Sequence, residues 1–340
     1  SRTCVSRFLF RMTGRILSPA VSSLATEFEK TVKKIDADVY IGHNIDTLLP
    51  LTRLAQRRKS ALIFDSMEYH ADMGDGQTDT EKEIIKAIQA ECLPQCDLIL
   101  ASSPELAAEL NNAYTVRRIL PLYNVPARIS NLSNDKKPGF ALYWRNSTIG
   151  LGQRGLATIL SALRLLPESI TLHLQGRLPR DRGRELRRRI DDLGISHRVN
   201  IYAPFMPNQA VSAAAGYHVG LCLEHGGIRN HELTVSNKIF DYMMAGLPVI
   251  ASDLPGLRTV LEKSGAGLLF KPKNPEDLRQ KILTLYEQPE LLREKARKSR
   301  EFAVSEGHLD AEMKKFDHAF LAALGSRAVR ARSVSQCAAS

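Results

Sequence analysis

Short apolar runs alternate with amphipathic segments along almost the whole chain. Runs of four to six apolar residues between turn residues are typical of parallel strands that are buried on both faces, and apolar positions at helical spacing predict the helices between them. This alternation predicts an α/β protein with two doubly wound, Rossmann-like domains. Strands are predicted at 39–42, 61–65, 97–102, 117–124, 140–144, 170–175, 199–203, 218–223, 249–252 and 267–270, with helices that include 20–34, 47–57 and 81–92.

A polar, turn-rich segment divides this pattern into two halves. We interpret residues 125–138 as a linker between a first domain at 1–124 and a second domain at 139–308. The remainder has a helical pattern, and we expect a helix at 309–324 that crosses back to the first domain. The basic, small-residue tail at 325–340 is predicted to be disordered.

The charge of the chain is uneven. The net charge is +10, and two basic patches lie at residues 1–35 and 177–189. Such patches suit anionic membranes, diphosphate ligands or nucleic acid, and they are equally typical of solvated helix faces. They lack interleaved aromatic residues, so we expect no nucleic-acid partner. The 5 cysteines have no metal-binding spacing, which indicates free thiols in a reducing compartment.

The most informative motif lies between residues 236 and 270. It predicts a helix from Asn237 to Met244, with Ser236 as its N-cap and Gly246 as its stop, followed by the strand at 249–252. The motif resembles the nucleotide-sugar-binding unit of GT-B glycosyltransferases of the group 1, GT4-like family, whose pattern is NK-hydrophobic-F-E-Y-M-x-x-G-x-P-V-I-A. The resemblance implies two Rossmann-like domains facing a cleft. It also implies a first domain that is incomplete, because the family's Gly-rich opening is either lost or outside this piece.

The resemblance carries a set of donor-binding residues onto the second half. The family's two diphosphate-binding cations correspond to Arg145 and Arg154, and Asp241 matches the acid that bonds the ribose hydroxyls. A carboxylate suits that role because it can accept two hydrogen bonds from a vicinal diol. Trp144 stands where the family usually has glycine, which predicts a different loop shape. Three further residues are predicted to lie beneath the donor phosphates: Ser236, Asn237 and Lys238, with a plain helix-surface role open for the lysine.

Three residues are candidates for the chemistry itself. His43 and Glu68 follow the first two predicted strands, and ligands bind at the carboxyl ends of parallel strands. Glu68 matches a glutamate of the family, but Met67 occupies the position of the family's histidine, and a thioether cannot accept a proton. Glu232 lies one residue from Leu233, the position of the family's second acid, and is expected to contact the donor sugar. Structural roles remain open for His43 and Glu232.

The resemblance implies a hexosyl-type, retaining glycosyltransferase that works without a metal or other cofactor. It would move a sugar from a UDP- or GDP-sugar to the hydroxyl of a glycan or lipid-linked acceptor. We expect a cytoplasmic protein, with the basic N-terminal patch contacting an anionic membrane from the inner face. One alternative is a catalytically silent GT-B binding or accessory protein. A nucleotide-sugar epimerase ranks last, because the acid–base residues it needs are not found.

Overall fold

A computed structural model describes residues 2–74, 76–132, 135–152 and 154–337. The chain divides into two units, each built around a parallel sheet, which confirms the predicted α/β class. The first unit contains residues up to 123, residues 228–234 and the chain from 313 onward; the second contains 124–227 and 235–312. The segment 228–234 therefore differs from the prediction, which placed it in the second domain.

Each strand in the described part of the chain falls where an apolar run predicted it. The strands are β1 (Val39–His43), β2 (Ala61–Ser66), β3 (Leu98–Ala101), β4 (Ile119–Pro121), β5 (Phe140–Thr148), β6 (Ile170–Arg177), β7 (Val199–Tyr202), β8 (Val219–Cys222), β9 (Val249–Ser252) and β10 (Gly267–Phe270). The helices are α1 (Arg2–Thr13), α2 (Ser23–Val32), α3 (Ile45–Arg58), α4 (Asp79–Cys92), α5 (Pro104–Ala113), α6 (Leu156–Leu163), α7 (Arg180–Asp192), α8 (Ala210–Ala214), α9 (Arg229–Leu233), α10 (Lys238–Met244), α11 (Pro255–Ser264), α12 (Pro275–Glu287), α13 (Pro289–Ser305) and α14 (Leu309–Cys337).

The sheet of the first unit has the order β1-β2-β3-β4, with parallel neighbours. One face carries Phe64 and Ile99 into a core shared with α3, α4 and α5, and the other face carries Ile63 and Leu98 onto α14. Burial on both faces explains why these strands are apolar throughout rather than alternating. The parallel register also places His43 of β1 beside Asp65 of β2, at the carboxyl ends of both strands.

The sheet of the second unit has the order β10-β9-β8-β5-β6-β7, again with parallel neighbours. From β5 the chain winds outward through β6 and β7, then returns to β8 on the other side of β5. The strand order therefore reverses between β5 and β8, which is the position where doubly wound sheets bind ligands. Close packing at this point needs a glycine, because a Cβ at Gly220 would lie 2.5 Å from the ring of Tyr242.

Two local predictions were wrong. Helix α10 begins at Lys238 with Asn237 as its N-cap, and the Ser236 hydroxyl accepts a hydrogen bond from the Lys238 ammonium group instead of capping the helix. The tail was predicted to be disordered from Gly325, but α14 continues to Cys337. No proline interrupts that stretch and alanine and arginine favour helix, so nothing local ends it. Residues 338–340 lie outside the described part.

Candidate functional site

A cavity of about 520 Å³ opens at the switch point of the second unit. Three of the predicted donor-binding residues line it: Arg145 in β5, Asn237 as the N-cap of α10, and Asp241 on α10. The other three, Arg154, Ser236 and Lys238, are not among its lining residues. Other parts of the wall come from residues 124–129, from the segment after β7 with Phe205 and Pro207, and from Gly176 near the end of β6. The cavity is therefore mostly apolar, with a few converging polar groups, which is typical of small-molecule sites.

Arg145 and Asp241 form an ion pair on the wall of this cavity, between Nη2 and Oδ2. Burial raises the pKa of the Asp241 carboxyl, and the guanidinium of Arg145 opposes that rise. The backbone N–H of Arg145 donates to the Tyr242 hydroxyl at 3.2 Å, so the same helix that carries the acid also anchors the end of β5. A buried carboxylate is tolerated at this position because it has a charged partner.

A second ion pair joins Arg154 Nη1 to Glu224 Oε1, and Glu224 follows β8. The loop that carries Arg154 is held by Trp144, whose buried indole N–H donates to the Arg154 carbonyl at 3.1 Å. The next residue, Gly155, has φ +69°, and a Cβ there would lie 2.6 Å from Leu223 Cβ. The tryptophan at the family's glycine position thus belongs to the core and shapes the loop from below.

Lys238 lies at the start of α10 and is only 8% exposed. Its Nζ donates to the Ser236 hydroxyl at 3.3 Å. Burial lowers the pKa of the Lys238 ammonium group, and together with the positive charge of Arg154 it brings that pKa to about 8. Lys238 and Arg154 therefore contribute to one positive cluster, with Glu224 as its buried counter-charge.

In the first unit, the paired ends of β1 and β2 bring His43 and Asp65 together. His43 Nδ1 lies 2.8 Å from Asp65 Oδ2, and the imidazole is 60% exposed. Burial raises the pKa of the Asp65 carboxyl, and the hydrogen bond from His43 opposes that rise. A carboxylate on Nδ1 fixes the orientation of the ring and leaves Nε2 for another partner.

Glu68 is held by the segment that returns to the first unit. Asn230 Nδ2 donates to Glu68 Oε2 at 2.6 Å, while Asn230 Oδ1 accepts the Tyr69 backbone N–H at 2.7 Å. Arg229 on the same helix pairs with Glu109 at 2.8 Å, and Leu233 is buried in the core of the first unit. Helix α9 is therefore an integral part of this unit, and it fixes the loop that follows β2.

Residues 148–288 match the family model described as Glycosyl transferases group 1. This segment, which lies mostly in the second unit, is therefore similar to group 1 glycosyltransferases. The matched segment includes Arg154, Glu224 and Asp241, whereas Arg145 lies just before it. No curated protein matches the chain in sequence.

Solved structures of GT-B glycosyltransferases share the fold of most of the chain. HepE from Anabaena in complex with UDP-glucose is 16% identical, with a TM-score of 0.71 over 89% of this chain and 83% of that one. Sucrose-phosphate synthase from Thermosynechococcus elongatus is 16% identical, with a TM-score of 0.72 over 91% and 79%. WaaG, a glycosyltransferase involved in lipopolysaccharide biosynthesis, is 16% identical, with a TM-score of 0.63 over 86% and 80%.

Glu232 does not line the cavity of the second unit. It is part of α9 in the first unit, where its carboxylate lies 3.3 Å from Arg229 Nη1. The structure therefore places Glu232, which was expected to contact the donor sugar, in the first unit. Leu233 explains this placement, because its apolar side chain is buried in the core of the first unit and holds α9 against that core.

Three polar residues of these sites were not proposed from the sequence: Asp65, Glu224 and Asn230. A signal existed for Asp65, because it ends the strand next to His43, and for Glu224, because it follows a predicted strand at the switch point. Asn230 had no local signal, since its partners Glu68 and Tyr69 are 162 and 161 residues away.

Two searches of the described residues returned nothing. No group of three or more histidine, cysteine, aspartate or glutamate side chains is arranged there to hold a metal ion. No described helix combines the length and the apolar character that crossing a membrane would need.

Proposed function

We propose that the protein is an enzyme that transfers a sugar from a nucleoside diphosphate sugar to an acceptor hydroxyl, with the donor bound in the cavity of the second unit. The observation that carries this proposal is the convergence of Arg145, Asn237 and Asp241 on that one cavity, within and beside the segment that is similar to group 1 glycosyltransferases. UDP-sugars are the first choice of donor because structures of the similar HepE hold UDP and UDP-glucose. GDP-sugars are the second.

The side chains of the second unit supply what donor binding requires. Asp241 would accept hydrogen bonds from the two ribose hydroxyls. Arg145 and Arg154 would neutralise the charge that develops on the leaving diphosphate, with Lys238 adding to the same positive cluster. Ser236 and Asn237 would orient the start of α10 toward the phosphates. In this proposal three cations do what a bound metal does in other transferases, so no cofactor is needed.

The acceptor would be activated in the first unit. We assign His43 as the base that receives the proton of the acceptor hydroxyl at Nε2, with Asp65 holding the ring through Nδ1. Glu68, fixed by Asn230, would bind the acceptor, which we propose to be a glycan or a lipid-linked saccharide. If the protein binds its donor but transfers sugar to no polyprenyl- or lipid-linked acceptor and to no free glycan, this class of acceptor is contradicted.

Two finer proposals remain from the resemblance. Retention at the transferred carbon is tested by NMR of the fresh product, where an inverted anomeric signal would contradict it. Contact of the basic N-terminal patch with an anionic membrane, at its cytoplasmic face, is tested by flotation. Binding to anionic vesicles that does not weaken with salt, or no binding, would contradict it.

A catalytically silent binding protein is the second candidate. The observation that favours it is Met67, which is 38% exposed at the position where the resemblance implies a histidine. Saturable nucleotide binding with neither sugar transfer nor donor hydrolysis would favour this candidate over the enzyme.

The proposed donor site is tested by calorimetric titration with UDP and GDP. We expect saturable binding of one nucleotide, weakened by about 10- to 100-fold in Asp241→Ala and Arg154→Ala, because each removes a charged hydrogen bond. Arg180→Ala is the matched control, since Arg180 is an exposed arginine of α7 outside the cavity. Unchanged affinity in both Asp241→Ala and Arg154→Ala, or no binding by the folded wild type, would contradict the site.

A further inference from the structure

The Arg145–Asp241 ion pair occupies the groups that a donor would need. The two side chains are only 16% and 10% exposed, and they come from β5 and α10. Asp241 Oδ2 is taken by the guanidinium. A vicinal diol is held best when both oxygens of the carboxylate accept from it. The ion pair and a bound ribose therefore compete for Asp241.

The same pose leaves Arg145 incompletely satisfied. Its Nε is buried and has no hydrogen-bond partner among the residues that the structure describes. An unmade donor in a buried position is unfavourable, so the ion pair is a compromise for the arginine. A diphosphate offers several acceptor oxygens, and the fork of a guanidinium can use Nε and Nη together on such a group.

Arg145 can leave Asp241 without disturbing the strand. Its backbone N–H is anchored at 3.2 Å by the buried Tyr242 hydroxyl, so only the side chain has to move. The guanidinium carbon already lies 5.8 Å from the centroid of the Phe205 ring, which provides a second wall for it. Both Arg145 and Phe205 line the cavity, so the movement stays within the site.

We infer that Arg145 masks Asp241 and thereby makes the site selective for nucleoside diphosphates over nucleosides. A ligand that carries both a ribose diol and a diphosphate replaces both members of the ion pair with new partners. A nucleoside offers a new partner to Asp241 only and leaves Arg145 without one. This inference rests on the proposed function, which assigns Asp241 to the ribose and Arg145 to the diphosphate.

The test compares UDP with uridine, or GDP with guanosine if the wild type prefers that base, using NMR titrations that measure weak binding. Arg145→Met should weaken binding of the diphosphate by about tenfold or more, because a charged fork is lost. The same variant should tighten binding of the nucleoside by about three- to tenfold, because Asp241 is no longer masked. Asp241→Asn should weaken binding of the nucleoside. Arg180→Met is the matched control and should change neither.

Tighter nucleoside binding in Arg145→Met and weaker nucleoside binding in Asp241→Asn would together indicate masking. If the ion pair were purely structural, both variants would weaken nucleoside binding. Nucleoside affinity that is unchanged, weaker or undetectable in Arg145→Met would overturn the inference. The diphosphate titration separates this failure from failure of the proposed function. If the wild type binds the diphosphate, the proposed donor site is supported even when the inference fails. If the wild type does not bind it, both the proposed site and the inference are contradicted.

Discussion

The two units place their polar groups in opposite surroundings. In the second unit, Asp241, Glu224 and Lys238 are nearly buried and are held in ion pairs and hydrogen bonds. In the first unit, His43 projects from the sheet with most of its ring exposed and is held at one nitrogen by Asp65. Buried charges need their partners for stability, whereas an exposed group does not. Changes in the second unit should therefore affect folding and binding together, and changes at His43 only chemistry.

The largest expected effect is on turnover in the first unit. His43→Ala should lower kcat by about 10²- to 10⁴-fold, because a base in proton transfer contributes on that scale. Its free energy of unfolding should stay within about 0.5 kcal/mol of wild type, as for most exposed substitutions. The assay follows sugar release from the donor, with urea unfolding alongside it. His197→Ala, another exposed histidine paired with a carboxylate, is the control. Normal turnover in His43→Ala would break the comparison.

A buried histidine of the first unit should make the protein less stable in acid. Burial lowers the pKa of His70 to about 4, from 6.5, so the folded state stays neutral where the unfolded chain binds a proton. Stability should fall as the pH drops from about 6.5 to 4, by up to about 3 kcal/mol from this group. His70→Phe removes the titration. The unfolding free energy of His70→Phe minus that of wild type should increase as the pH falls from about 6.5 to 4, and it should stay constant above pH 7. A difference that is constant with pH would contradict the assignment.

The smallest effect sharpens the comparison in the second unit. Glu224→Gln keeps the shape but leaves Arg154 and the buried Lys238 without their counter-charge. We expect a loss of about 2 kcal/mol in unfolding free energy, less than for a fully buried pair because Arg154 can rehydrate. Glu301→Gln, which breaks an exposed pair with Arg297, should cost at most about 0.5 kcal/mol. Equal losses in urea melts would show that burial does not separate the two pairs.

Local patterns were enough to predict the strands. Apolar runs such as 61–65 and 249–252 are buried on both faces, and turn residues bound them, so each strand could be read without its neighbours. Arg145, Arg154 and Asp241 could be named because a family motif surrounds them. The N-terminal helix α1 was not predicted, since arginines interrupt its apolar positions.

The partners of these residues could not be predicted in the same way. Arg145 and Asp241 are 96 residues apart, and Arg154 and Glu224 are 70 apart. Nothing in the sequence near either arginine indicates which carboxylate it contacts. The location of α9 likewise depends on Asn230 and Leu233 reaching residues more than a hundred positions away. Long-range contacts of this kind depend on the tertiary fold and leave no local period.

The return of residues 228–234 to the first unit has a consequence for how such a gene can be recombined. Together with the stretch from 313 onward, it means that the first unit is encoded in three separate pieces. A fusion that exchanges residue 124 and everything after it replaces Asn230, Leu233 and α14 along with the cavity of the second unit. Shuffling donor specificity between relatives therefore requires an exchange with several junctions, in which these pieces stay with their own parent.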